Sequence, residues 1–460
     1  MLQLNGWSWA PRGILFPTVC IVLALAGTAS AQVHGLGRGG MRVDRENRGV
    51  PVALRPFVAV SGQYSHGLTP AWPGSGGPVY ERSGYGYSAQ AGAVGSHDWQ
   101  RSSLFLDYRA VYGRYSRDLG QRGVDHFLTL GYSADLTRRT SVYLTQYAGA
   151  VSRNLGPTGL LMGSGGFGGG GGFSFGLSDP TVAFGPEYDL YDTRTYYLSS
   201  GADLTFQKSP RLSFNGGGSG FIIRRPDAGL SDSQGYTARG DITYLLTRHQ
   251  SVSVQYGYLQ YDFRQAFGSS QAHYVAAGFA RQLARHVSGS ISGGVYRLDA
   301  NVIMRVRLDP LVAALLGQST GLEIYSGSSY GTVFSARLMA GFHHSSAALA
   351  YHRRMLPGNG IYLTSRTDTL AGSYTLSGRT RWSFSASAGY FRLSPAIQVA
   401  PVLQGYHAGA SAGYRLTRAL HLSSGYAVRR YDNGRYQQWS AVAHAGLTFA
   451  PGTLPLSTPW

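Results

Sequence analysis

The chain has 460 residues, a formal net charge of +18, 13% charged residues and a single cysteine. The lone Cys20 leaves no pair for a disulfide framework and no Cys-based metal centre, so stability has to come from backbone pairing and burial. With 65 glycines, 32 tyrosines and few charges, the composition is helix-poor.

The first thirty-one residues read as a secretory signal: Arg12, an apolar stretch from Ile14 to Gly27, then Ala29-Ser30-Ala31 with cleavage expected after Ala31. That stretch is too short for an ordinary membrane-spanning helix, and no later segment has eighteen consecutive apolar residues. A helical-bundle membrane protein is therefore excluded. Export without a helical anchor leaves the periplasm, the cell exterior or an outer membrane. Residues 32–51 read as a flexible leader, 52–449 as one uninterrupted alternating region, and 450–460 as a Pro-rich tail.

Within 52–449 a phrase recurs: two amphipathic strands around a tight basic turn. It reads GYSADLTRRTSVYLTQYAG at 131–149, GDITYLLTRHQSVSVQYGY at 240–258 and GASAGYRLTRALHLSSGYA at 409–427. The flanks alternate with period two, so one sheet face is apolar and the other polar.

Tight turns are expected at Gly95 to Gln100, Thr137 to Thr140, Gln207 to Pro210, Thr247 to Gln250, Ala284 to Val287, His343 to Ser346, Ser377 to Thr380 and Thr417 to Leu420. Longer connections fall at 67–83, 116–124, 152–193, 224–234, 264–271, 300–329, 356–366, 394–404 and 431–435. Eight short and nine long connections give about eighteen strands, within a range of sixteen to twenty. The predicted fold class is all-β, a single antiparallel up-and-down transmembrane β-barrel with short turns on one side and long loops on the other. A soluble propeller shares the forty-residue spacing of some turns, but its blades need four short strands where this chain has two long ones.

Strand faces can be assigned by parity. Val252, Val254, Tyr256 and Tyr258 oppose Ser251, Ser253, Gln255 and Gly257. Trp439, Ala441, Ala443, Ala445, Leu447 and Phe449 oppose Gln438, Ser440, His444, Gly446 and Thr448. The first set of each pair should meet lipid and the second the lumen. Two aromatic girdles are expected, Tyr244, Tyr374 and Tyr414 near the tight turns and Tyr112, Tyr261, Tyr296 and Tyr390 at the opposite strand ends. Arg281 falls in the outward series with Phe279 and Leu283, and GGGSG at 216–220 carries almost no face.

Parity also nominates lumen-lining residues: Asp107, Arg109, Asp135, Asp203, Arg239, Asp241, Arg381, Arg415 and Arg429. The connection 300–329 is long and apolar and holds a short helix, with Asp309 as cap, Pro310 at its first position, Leu311 to Leu316 following and Gly317 as terminator. Two placements are open for it. Asp309, Pro310, Leu311 and Leu315 belong to a constriction loop folded into the lumen, or the loop packs on its external neighbours.

Other patterns fail on context. Gly35 to Gly40 fits a dinucleotide fingerprint without its strand and helix, and Gly163 to Gly176 lacks the Lys of a phosphate loop. Gly409-Ala410-Ser411-Ala412-Gly413 matches a nucleophile elbow but sits in an alternating strand. His421 with Ser423, or His344 with Ser346, is similar to the His/Ser arrangement of outer-membrane phospholipases. Here, however, the residues turn inward and lack an Asn or Asp partner. His343 and His344 point to opposite faces. No catalytic residue, metal or cofactor is expected.

Through the signal, the alternating hairpins and the aromatic girdles, residues 52–449 resemble bacterial outer-membrane β-barrel proteins of the porin-like kind. The resemblance implies a Gram-negative outer membrane, contact with outer-membrane lipid and lipopolysaccharide, and insertion by the barrel-assembly machinery. Phe449 and Trp460 are the two aromatic residues that could serve as the terminal assembly signal. A barrel of eighteen strands is too wide for side chains to fill. The expected function is passive diffusion of small hydrophilic solutes, with a weak anion preference from the excess of arginine. The other reading is a non-conducting structural or adhesive surface barrel acting through its long loops. Neither nucleic acid nor enzymatic turnover is expected.

Overall fold

A strand whose two faces differ needs a neighbour on both edges, because any unpaired amide in hydrocarbon is costly. The computed structural model shows how this chain provides them; it describes residues 54–67, 83–116, 122–152, 194–226, 230–266, 268–358, 363–376, 381–396, 401–432, 434 and 437–451. The predicted signal and leader, the Gly-rich run 163–176 and Trp460 lie outside those residues, as do positions 377–380 of one predicted turn.

The strands are β1 (Arg55–His66), β2 (Gly84–Asp98), β3 (Ser102–Tyr115), β4 (Arg122–Asp135), β5 (Thr140–Ser152), β6 (Arg194–Gln207), β7 (Leu212–Arg224), β8 (Ser233–Thr247) and β9 (Gln250–Phe263). They continue as β10 (Gly268–Ala284), β11 (Val287–Arg307), β12 (Thr320–Gly341), β13 (Ser345–Leu356), β14 (Ser365–Leu376), β15 (Trp382–Pro395), β16 (Leu403–Arg415), β17 (Leu420–Asp432) and β18 (Gln437–Phe449), with one helix, α1 (Pro310–Leu316), between β11 and β12. Each pairs antiparallel with its neighbours in sequence, and β1 pairs with β18 from Val58↔Phe449 to His66↔Ala441. The sheet is thus a closed eighteen-stranded up-and-down barrel.

The recurring turn phrase has a local cause. The Thr137 hydroxyl accepts hydrogen bonds from the backbone amides of Arg139 and Thr140 at 3.1 and 3.0 Å, and Thr417 does the same for Ala419 and Leu420 at 3.2 and 3.0 Å. Thr247 accepts from His249 at 3.2 Å. A side chain that caps its own turn fixes the hairpin register. The leucine before each threonine faces outward: Leu136, Leu246 and Leu416 are all exposed.

The outer face is an apolar band. Val254, Val275, Ile291, Leu349 and Leu447 are all exposed although the protein is closed, which places hydrocarbon around them. Together with the closed ladder, this band makes the protein an outer-membrane β-barrel. Arg281 sits on this face as expected, paired to Gln250 and Gly289 one step from the tight turns. There its guanidinium can reach the headgroups.

The compact apolar core lies inside the barrel at the long-loop end. Phe221, Leu259, Tyr261, Tyr274, Tyr296 and Leu298 line the inner wall of β7 to β11 and pack with Met355 and Leu363 from β13 and the segment before β14. The cause is a departure from the wall. β12 pairs with β11 up to Thr320 but with β13 only from Phe334↔Arg353 downward, whereas β13 and β14 stay paired to Leu356↔Ser365. The top of the β13–β14 hairpin therefore leaves β12 and turns inward, where Thr364 Oγ1 and Ser270 Oγ are hydrogen-bonded and the Ala396 amide donates to the Thr364 carbonyl at 2.9 Å.

This corrects the expectation for 300–329. Val- and Ile-rich alternation carries β11 and β12 well past the rim, since β10 accompanies β11 only to Ser269↔Asn301. Helix α1 caps the tip of that hairpin, with Asp309 accepting from the Leu311 amide at 2.9 Å, Pro310 at the first position and Gly317 left-handed at φ 62°. Leu311 and Leu315 are 77% and 85% exposed, so neither they nor Asp309 and Pro310 constrict the lumen. The inward element is the described top of the β13–β14 hairpin, Met355 and Leu363, instead.

Val254→Arg would place a guanidinium within the lipid-facing band. It is expected to lower unfolding free energy by about 2–4 kcal/mol in denaturant titrations of the barrel in lipid vesicles.

Candidate conduction pathway

The inner wall below the apolar cluster is built from hydroxyls, amides and charges. Serines on neighbouring strands face each other: Ser61 with Ser88 at 2.7 Å, Ser103 with Ser133 at 2.7 Å and Ser385 with Ser411 at 2.6 Å. Ser411 is the central residue of the elbow-like pattern, and it stands in mid-strand as part of this wall. Ser423 Oγ donates to the Gly446 carbonyl, with no His contact. The His343 and His344 rings meet edge to face, and among the described residues no group of three potential metal ligands occurs.

Charged wall residues fall into two kinds. Arg109 Nη2 and Nε reach Asp107 on the same strand, both at 2.8 Å. Arg239 on β8 reaches Asp203 on β6 at 2.6 Å, across β7. Direct register puts Gly217 between them, and a Cβ there would overlap Asp203 Oδ1. The faceless GGGSG stretch thus has a structural reason: a side chain at 217 would fill the space the ion pair crosses. Asp241 lies beside this pair and accepts from Asn215 Nδ2 at 2.5 Å. Near the long-loop end Arg194 reaches Asp125 at 3.0 Å.

The second kind is arginine without a carboxylate. Arg429 is 3% exposed, and its guanidinium stacks over the Tyr431 ring at 5.3 Å. Arg337 and Arg354 also point inward by register, Arg337 opposite Ser290 and Ala350, and Arg354 opposite Thr367. Among the described residues none of the three has an ion pair, and the Nε of each is buried without a hydrogen-bond partner. Parity alone nominated Arg429. Arg337 carried the same signal, alternating against Phe334, Ala336 and Leu338 between the expected connection 300–329 and the turn at His343, but was not among the nominated residues. Arg354 shares its parity with Ala350 and was likewise not nominated, and its burial comes from the inward turn of its hairpin, a tertiary event.

The remaining nominated residues sit elsewhere. Asp135 ends β4 with inward parity, paired to Ser141. Arg381 and Arg415 are exposed at the tight-turn rim, where the Arg415 amide donates to the Arg381 carbonyl at 2.8 Å.

The tyrosines divide as well. Tyr244 and Tyr374 face outward near the tight turns, and Tyr414 meets Trp382 at a tilt of 47° with ring centroids 4.6 Å apart. Tyr112 meets Tyr87 at 6.2 Å and Tyr390 meets Tyr406 at 4.9 Å on the outer face of the long-loop end. Tyr261 and Tyr296 do not belong to this girdle: they are 2% and 5% exposed inside the barrel. Their height along the strand suggested the girdle, but Tyr261 shares parity with Ser251 and Gln255, and that parity governs its direction. Inward rings lie flat on the wall, as Tyr274 does over Gly257, where a Cβ would strike the ring. Gln255 Nε2 holds the Tyr274 hydroxyl at 2.9 Å.

At the rim Asp232 closes the β7–β8 connection. It accepts from the Arg225 amide and from Arg224 Nη1, both at 2.7 Å, and its own amide donates to Gln265 Oε1 at 2.5 Å. Burial works to raise its pKa, but the hydrogen bonds from Arg225, Arg224 and Gln265 outweigh it and hold the carboxyl below its ordinary value.

No known protein family matches the chain by sequence, and no curated protein does. Among solved structures the chain is similar to Pseudomonas aeruginosa OccK2 (OpdF) in complex with glucuronate, with 9% identity, 86% of this chain and 98% of that chain covered, and a TM-score of 0.40. It is similar to a BenF-like porin from Pseudomonas fluorescens Pf-5, with 9% identity, 87% and 99% covered, and a TM-score of 0.41. For Acinetobacter baumannii OccAB3 the figures are 10% identity, 87% and 100% covered, and a TM-score of 0.39.

Two outcomes follow from this geometry. Gly217→Ala should destabilise the barrel by displacing Asp203 from Arg239. The loss should shrink by about 0.5 kcal/mol or more in an Asp203→Ala background, read as a double-mutant cycle in denaturant. The depressed carboxyl of Asp232 stabilises its connection fully above the ordinary carboxylate pKa of about 4 and loses that contribution as pH falls through the lowered value. Protection of the Arg225 amide from hydrogen exchange, taken relative to the intrinsic rate at each pH, should therefore fall in acid below about pH 4, and Asp232→Asn should remove that pH dependence.

Proposed function

We propose that the barrel is a porin-like channel for passive diffusion of small hydrophilic solutes, with a preference for anions. The single observation that carries this reading is the polar inner wall holding two buried arginines, Arg354 and Arg429, and a half-buried one, Arg337, without carboxylate partners among the described residues. An eighteen-stranded barrel is wider than its own side chains can fill, so a path remains beside the inward β13–β14 hairpin. Fixed cations on a low-dielectric wall lower the cost of entry for an anion and raise it for a cation. The paired residues Arg109–Asp107 and Arg239–Asp203 carry no net charge and set the transverse field along the wall.

The alternative, a non-conducting surface barrel, draws on a different observation, the apolar tip of the β11–β12 hairpin. Leu311, Leu315, Leu316, Leu322 and Ile324 are all exposed there.

Reconstitution of the purified protein in planar bilayers separates the two. Stable single-channel steps with a reversal potential on the anion side are expected, and Arg429→Gln should reduce anion selectivity without abolishing conductance. Absence of steps would leave the surface reading standing, and clear cation preference would overturn the charge assignment.

A further inference from the structure

On the outer face of β9 to β12, just above the apolar band, the wall changes character over two residue steps. Val254, Val275 and Val295 give way to Tyr256, Tyr258 and His273, with Tyr258 and His273 ring centroids 4.9 Å apart. Above these rings lies a recess of about 440 Å³ lined by Gln260, Gln271, Asp299, Asn301, Ser326 and Ser328. All six have outward register, so the recess opens away from the lumen, at the depth where the outer leaflet exchanges acyl chains for headgroups.

The polar groups are arranged with capacity to spare. Tyr236 and Tyr258 donate to Gln260 Oε1 at 2.7 and 2.9 Å, and Tyr258 also reaches Gln271 Oε1 at 3.4 Å. The Gln260 amide oxygen is thereby oriented, and the NH₂ groups of Gln260 and Gln271 have no hydrogen bond among the described residues. Arg297 and Ser328 all donate to one oxygen of Asp299, Arg297 Nε at 3.2 Å, Arg297 Nη2 at 3.1 Å and Ser328 at 2.5 Å. Asp299 Oδ2 is left as an acceptor, held in place by its neighbour. A fixed carboxylate oxygen, the oriented Gln260 amide and a second amide donor on Gln271 match vicinal hydroxyls on a pyranose. An isolated phosphate fits poorly, because Asp299 stands in the recess and already neutralises Arg297.

We propose that this recess binds carbohydrate, and that its depth suits the sugars of an outer-leaflet glycolipid better than a saccharide arriving from solution. The inference is independent of whether the barrel conducts.

The test uses the full-length protein in detergent with three probes: rough lipopolysaccharide, the oligosaccharide released from it by delipidation, and phosphatidylglycerol micelles. Binding is read by native mass spectrometry and titration calorimetry. The parent protein should bind lipopolysaccharide. Gln271→Ala with Asp299→Ala should weaken that binding at least tenfold, and Ser326→Trp, which fills the recess from an exposed position, should do the same. Heat-modifiable electrophoretic mobility establishes that each variant is folded.

Variant-sensitive binding of lipopolysaccharide alone supports the proposal with the membrane as the source. Variant-sensitive binding of the released oligosaccharide as well supports it with soluble saccharide admitted. The proposal is overturned if neither sugar-bearing probe binds, if the variants bind as tightly as the parent, or if phosphatidylglycerol binds with equal affinity and equal sensitivity to the substitutions.

Discussion

The seam between β1 and β18 is the contact on which the rest of the molecule depends. Val58↔Phe449 through His66↔Ala441 joins the first strand to the last and closes the sheet into a barrel. In hydrocarbon an open edge would expose a row of amides with no water to receive them, at several kcal/mol per group. Closure turns a sequence of hairpins, each marginal alone, into one cooperative object. It also fixes which residues are wet, because with both neighbours of every strand determined, parity settles the direction of each side chain.

Closure of so many strands creates a second problem, an interior too wide to pack. The chain treats the two ends of that interior differently. At the tight-turn end the wall stays polar, with serine pairs and ion pairs lying along the sheet. At the long-loop end the β13–β14 hairpin leaves its neighbour and brings Met355 and Leu363 against Tyr261, Tyr296 and Leu298. The apolar cluster is an internal brace, and the free upper edge of β12 from Thr320 to Val333 is the counterpart of that movement. Of that edge, 320–325 stands above the last β10 pairing, whereas 326–333 runs level with the paired β10–β11 wall.

Charge placement follows from the same geometry. Where glycine removes a side chain from the wall, as at Gly217, opposite charges two strands apart can meet and cancel. Where no acid lies within reach, the cation is desolvated but uncompensated, as for Arg337, Arg354 and Arg429. Such groups are costly to the fold, and their presence on the inner wall is the feature that gives the interior an electrostatic sign.

Much of this was legible in the chain. Period-two alternation, threonine-capped basic turns and the order of short and long connections specify eighteen strands, their closure and the outward set, because strand direction is a local property with a fixed period. The helix at Pro310 was equally local, since its cap, first residue and terminator lie within nine positions. What the tertiary structure alone decided was where an element goes once formed. Whether α1 would enter the barrel or stand above it depended on how far β11 and β12 stayed paired. Whether the inward-facing ring of Tyr296 would line an open lumen or pack on Met355 depended on a hairpin more than fifty residues away turning inward. These choices rest on contacts between segments distant in sequence, and no local pattern encodes them.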